Sequence, residues 1–134
     1  MIKTKKLKSI LFIGFMSLPI GAVVADEELN SGEVKALFSG KTASWVNHKK
    51  GNTGTGYFSS DGKLTGLKNG TDKIQYGWHV NDDGDLCIDK GSDTKCRVIE
   101  KSGDEIRKIK VKQNGKRIHI MTYSNFVDGN PNNY

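Results

Sequence analysis

Apolar residues alternate with polar ones over most of this chain, and the alternation is repeatedly cut by glycine turns. Ile74, Tyr76, Trp78 and Val80 recur at every second position, as do Leu86 and Ile88, and Ile118 and Ile120. A period of two places such residues on one face of an extended strand. Between these runs stand Gly51-Asn52, Asp61-Gly62, Asn69-Gly70, Asp82-Asp83-Gly84, Gly91-Ser92-Asp93, Gly103-Asp104 and Asn114-Gly115. Asp-Gly and Asn-Gly pairs accept the positive φ angles of tight hairpin turns. The spacing predicts strands near 42–48, 55–60, 63–68, 73–80, 85–90, 95–101, 105–113 and 116–123. A meander of this many short strands removes its exposed edges by closing. The expected fold is mainly β: an antiparallel up-and-down barrel, or a strongly curved sheet.

A helical period occurs near the start of this region. Val34, Leu37 and Phe38 fall on one face, Asn30 or Ser31 can cap the first turn, and Gly40 suits the exit, predicting a helix over 31–39. Two turns of helix need an apolar surface to rest on. The core expected from alternation is Phe58, Tyr76, Trp78, Val80, Leu86 and Ile88, joined by Trp45 or Val46, Leu64, Val98, Ile109, Val111, Ile118 and Ile120. Lys108, Lys110 and Lys112 then share the opposite, solvated face. Residues 126–134 show no period and read as a flexible tail, which sets the domain at 26–125.

Residues 1–25 follow another logic. Lys3, Lys5, Lys6 and Lys8 precede an apolar stretch from Ile10 to Ile20, broken by Gly14 and Pro19. Val23 and Ala25 then supply the small side chains of a cleavage site. The stretch is shorter than the roughly 20 residues that span a bilayer as a helix. A cleaved signal peptide is expected, with the rest of the chain in the periplasm or secreted and no integral membrane segment after cleavage. Cleavage also changes the charge. The chain carries 21 Lys+Arg against 15 Asp+Glu, net +6, but four lysines leave with the leader, so the remainder is only +2. That removes the main support for a nucleic-acid partner. In an oxidising compartment the close pair Cys87 and Cys96 reads as a disulfide rather than a metal or redox site.

The most charged stretch comprises Lys108, Lys110, Lys112, Lys116 and Arg117, a candidate anion-binding face that could equally protect a strand edge with lysine. Trp45, Tyr57 and Tyr123 could form a stacking platform. His48, His79 and His119 have no ligand-pair spacing, and alternation turns His79 and His119 outward as surface histidines. Asn81 to Asp85 lacks the alternating ligands and terminal Glu of a calcium loop, and reads as an acidic turn. No nucleophile elbow, phosphate loop or carboxylate pair is visible. The expectation is therefore no catalytic residue, no metal and no cofactor.

The strings Glu33–Thr42 (EVKALFSGKT), Tyr57–Gly66 (YFSSDGKLTG), Gly77–Val80 (GWHV) and Leu86-Cys87-Ile88 resemble a family of small exported bacterial proteins of uncharacterised function. The resemblance implies a helix entering FSGKT, a DG-x-L-x-G hairpin, a G-x-W-x-V strand and two close cysteines. A looser similarity links the chain to bacterial periplasmic metalloprotease inhibitors. The expected role is a non-catalytic exported binding module for a protein partner, an envelope component or a small apolar molecule. Two alternatives stand beside it: a protease inhibitor whose arm Asp26–Asn30 enters an active site, and a small hydrolase or isomerase working in the barrel mouth.

Overall fold

In the computed structural model, which describes residues 26–134, the alternating stretches pair in the order they occur. The leader expected over 1–25 lies outside the described residues. The strands β2 (Lys41–Asn47), β3 (Thr53–Phe58), β4 (Lys63–Lys68), β5 (Asp72–Val80), β6 (Leu86–Asp89), β7 (Thr94–Ser102), β8 (Glu105–Val111) and β9 (Arg117–Asp128) each pair antiparallel with the next. β9 returns to β2 and closes an eight-stranded up-and-down barrel. A short β1 (Glu27–Glu28) joins the outside of β7, opposite Lys101 and Glu100. Two residues carry no period, so β1 left no signal in the sequence. It also ties the N-terminal arm to its own barrel, which works against the protease-inhibitor reading.

The helix α1 (Ser31–Phe38) closes one end. Asn30 accepts a hydrogen bond from the Glu33 amide, and the Glu33 carboxylate accepts one from the Asn30 amide, each at 2.9 Å. That reciprocal cap satisfies two of the amides an isolated helix start leaves free. Val34 and Phe38 are fully buried. The Phe38 ring meets Phe58 at 4.9 Å, Tyr123 at 5.0 Å and Phe126 at 5.3 Å between centroids. Around this plug lie Leu86, Ile99, Ile106 and Trp78, whose indole N–H donates to the Ser59 carbonyl at 2.9 Å. Tyr76 and Val80 pack against the same core while partly exposed.

Two strand irregularities change how the pattern must be read. Asn125 adopts φ +54° where the β2–β9 register shifts between Thr42 and Ser44. Such a bulge inserts a residue and reverses the side-chain parity beyond it. The last strand therefore continues to Asp128, and Phe126 packs on the core, where the sequence alone suggested a flexible tail from 126. A second shift lies between Lys108 and Ile109 on β8. Ile106 belongs to the core, so parity carries Lys108 and Lys110 into the barrel rather than onto a solvated outer face. Val111 and Val46, candidates for the core, are largely exposed, and Ile109 is buried apart from the main cluster.

Close approach inside the barrel depends on glycine at β3 and β4. The Trp45 ring lies across Gly54, where any Cβ would overlap it. A Cβ on Gly66 would strike the Thr55 carbonyl and sit 2.6 Å from the Gly56 Cα. The backbone around Gly66 cannot swing away, so β4 tolerates no side chain there, while a side chain at Gly54 would displace the Trp45 ring.

Candidate functional site

An up-and-down meander turns alternately at its two ends, and the ends differ. The turns at 59–62, 81–85 and 103–104 gather beside α1, where the interior is filled. The turns at 48–52, 69–71, 90–93 and 112–116 surround the other end, where a cavity of about 210 Å3 opens. Its floor is Trp45, Phe58, Leu64, Ile74, Ile88 and Tyr123. Its walls are basic, because four inward rows change character as they leave the plugged end. On β4 the row runs from Leu64 through Gly66 to Lys68. On β7 it runs from Ile99 through Arg97 to Lys95, and on β8 from Ile106 through Lys108 to Lys110. The β6 row passes from Leu86 and Ile88 to Lys90 just beyond the strand.

Lys49 and Lys50 complete the lining from the β2–β3 turn, giving eight cationic side chains against one carboxylate, Asp93. That carboxylate already faces Lys95 at 3.8 Å, an exposed pair of small energetic weight. The surplus cation charge is therefore not neutralised from within.

Lys108 is the deepest of these cations and is 8% exposed. Its ammonium lies 5.6 Å from the centre of the Tyr123 ring. Among the described residues it makes no hydrogen bond or ion pair. Burial, reinforced by Arg97 and Lys90, pushes its pKa down to about 7. Burial also raises the Tyr123 hydroxyl. Nearer the opening, Lys49 and Arg97 lead the causes that lower the Lys110 ammonium. Lys90 lies 5.4 Å over the Tyr76 ring, so aromatic faces supply part of the stabilisation that carboxylates do not.

The structure divides the basic stretch identified in the sequence. Lys108 and Lys110 line the cavity, and Lys112 and Lys116 are exposed in the β8–β9 turn at the same end of the barrel. Arg117 points elsewhere: it holds the buried Glu100 carboxylate at 2.6 Å on the outer wall. Arg107 joins that network at Glu105 and Asp26, fastening the N-terminal arm. Lys68, Lys90, Lys95 and Arg97 went unrecognised as site residues. Their signal was present as apolar-to-basic succession at constant parity, which becomes visible only once the strands are aligned by end.

The other candidates resolve locally. Cys87 and Cys96 face each other across β6 and β7 and form a disulfide on the outer wall. His79 lies beside them, but both sulfurs are committed to each other. His119 and His48 come together, their rings 4.7 Å apart and each Nε2 within 2.8 Å of the Thr122 hydroxyl. Burial, then His48, lowers the pKa of His119. The acidic turn is organised by Asn81, whose side-chain oxygen accepts from the Asp83 and Asp85 amides. Trp45 and Tyr123 are buried in the cavity floor, and Tyr57 belongs to the outward row of β3.

A family model described as "Protein of unknown function (DUF995)" matches residues 19–112. That span runs from before β1 to the end of β8. No curated protein and no solved structure matches the chain.

Proposed function

The chain belongs to the DUF995 family of proteins of unknown function, and from that starting point we propose that it is an exported, non-catalytic binding module for a small anionic molecule. One observation carries this reading: the open half of the barrel encloses a cavity with an apolar, aromatic floor and eight cations on its walls. Concave, largely apolar sites with a few convergent polar groups are where small molecules bind. Barrel mouths are a recurrent place for them. The sign of the charge selects the ligand, because an anion recovers the electrostatic cost of holding so many cations together.

Export rests on the signal-peptide pattern of residues 1–25 and on the disulfide, which suits an oxidising compartment. Among the described residues no helix is long and apolar enough to cross a membrane.

Thermal-shift and calorimetric titration of the purified 26–134 domain with octanoate, octyl phosphate and uncharged 1-octanol tests the assignment. Both anions should raise the melting temperature in a saturable way and bind more tightly than the alcohol. Equal affinity for all three, or none for any, would overturn it. Cell fractionation with N-terminal sequencing tests export, which requires a mature chain beginning at Asp26.

A further inference from the structure

A cationic mouth above an aromatic floor can hold an amphiphilic anion in two ways. Its acid could stay at the rim among Lys49, Lys50, Lys68 and Lys90, with the apolar body inward. Alternatively the acid could enter first. The rim arrangement would press hydrocarbon against Lys108, leaving the most buried cation of the cavity without a partner. Desolvated charge is costly unless it is paired, and an anion at that depth is the missing partner.

We infer that the ligand is a small organic acid that enters acid-first, its anionic group lodging beside Lys108 and its apolar body lying toward Tyr76 and the mouth, and that its binding draws a proton into the cavity. This rests on the cavity being the binding site. The groups facing Lys108 come from every side. Arg97 approaches from β7, Lys90 from the β6–β7 turn and the Tyr123 ring from β9, while Lys110 lines the cavity two residues further along β8. The only carboxylate in the lining, Asp93, is held at Lys95 on the rim. Nothing in the wall therefore supplies the negative charge that would keep Lys108 an ammonium, and a bound carboxylate does. The proton comes from solvent, adds to the Lys108 amine and leaves no other product. A cavity of about 210 Å3 suits an acid of modest length better than a full lipid chain.

Octanoate is the probe, because its own carboxylate is fully ionised near neutrality. Any proton change on binding then belongs to the protein. Calorimetry at about pH 8 in Tris and in bis-tris, which differ in ionisation enthalpy, should report uptake of most of one proton. Affinity should fall by up to about tenfold per pH unit between about pH 7.5 and 9.5. Lys108→Met should weaken octanoate at least about tenfold and abolish the proton uptake, while 1-octanol binds as well or better. Near-UV circular dichroism verifies that the variant is folded, and the proton count on the unaltered protein needs no variant. Octanoate binding with no proton uptake and full affinity in Lys108→Met places the acid at the rim, which overturns the acid-first inference and leaves the cavity reading standing. Failure of octanoate, octyl phosphate and 1-octanol to bind the unaltered protein defeats both.

Discussion

The two ends of the barrel interior are built from the same eight strands and have opposite characters. At the plugged end Val34, Phe38, Phe58, Leu86 and Ile99 are all fully buried, and the Phe38 ring meets Tyr123 and Phe126 edge to face. At the open end four of the inward rows finish in lysine around empty volume. Alternation sets which side chains point inward but says nothing of what they are. Where inward residues are apolar, burial supplies stability at about 25 cal/mol per Å2. Where they are cationic, the fold gives up that contribution, and on the proposed reading it gains a binding site in exchange. Proteins commonly leave stability unclaimed where they bind.

The largest expected effect tests the plugged end. Phe38→Ala removes the ring that joins α1 to the barrel and should cost about 3–5 kcal/mol in urea unfolding. Tyr76→Ala, on an inward row at the mouth and already partly exposed, should cost clearly less. Equal losses at the two positions would erase the contrast. Next in size is the disulfide. It closes a short loop from the outer wall, so Cys87→Ser with Cys96→Ser should lower stability by about 2–3 kcal/mol. Octanoate affinity should be unchanged, since neither sulfur reaches the cavity. An affinity loss would show that the mouth depends on this clip.

Lys108 gives a smaller effect with a signed pH dependence. Its pKa falls from 10.5 to about 7 on folding, so the unfolded chain holds the proton more tightly. Between those values the unfolded state binds more protons, and stability therefore rises with pH across that window. Below about 7 the cost of burying the ammonium is fully present, and above about 10.5 it is gone. Lys108→Met should thus stabilise the protein at about pH 6, on the order of 1–2 kcal/mol. The advantage should vanish near pH 10. A difference independent of pH would mean that Lys108 is solvated in the folded protein.

How far the sequence revealed this depended on the kind of signal each region carries. Strand number, order and the helix were legible because hairpin turns and period-two rows are local. The inward side of β8 is not legible locally, because Ile109 and Val111 look like core residues. Ile106, which fixes the parity, lies in the packed half, six residues before the cation-rich turn begins at Lys112. The end of β9 was hidden by the bulge at Asn125, which moves Phe126 out of register with Tyr123. The cavity was legible only in fragments, because it draws cations from β4, β7, β8 and two turns that are remote in sequence. The unpartnered burial of Lys108 depends on what surrounds it in space, which no linear pattern records.

The smallest effect reaches furthest into function, because it concerns charge beyond the cavity wall. The turns at the mouth add Lys112 and Lys116 to Lys49, Lys50 and Lys90, with Asp72, Asp89 and Asp93 as the acids nearby. The opposite end presents Asp26, Glu27, Glu28, Asp61, Asp82 and Asp83. Residues 26–134, of net charge +2, are thus polarised along the barrel axis, which steers an anion toward the opening before contact. Lys112→Gln with Lys116→Gln should leave stability within about 0.5 kcal/mol, since both side chains are exposed. Octanoate association in stopped flow should slow by about twofold at low salt, with dissociation unchanged. The difference should disappear above about 0.5 M salt, where screening shortens the reach of charge to a few Å. Asp82→Asn with Asp83→Asn, at the far end, should alter the rate much less. If the two pairs change it equally, net charge rather than its arrangement governs capture, and the polarity of the barrel has no part in recognition.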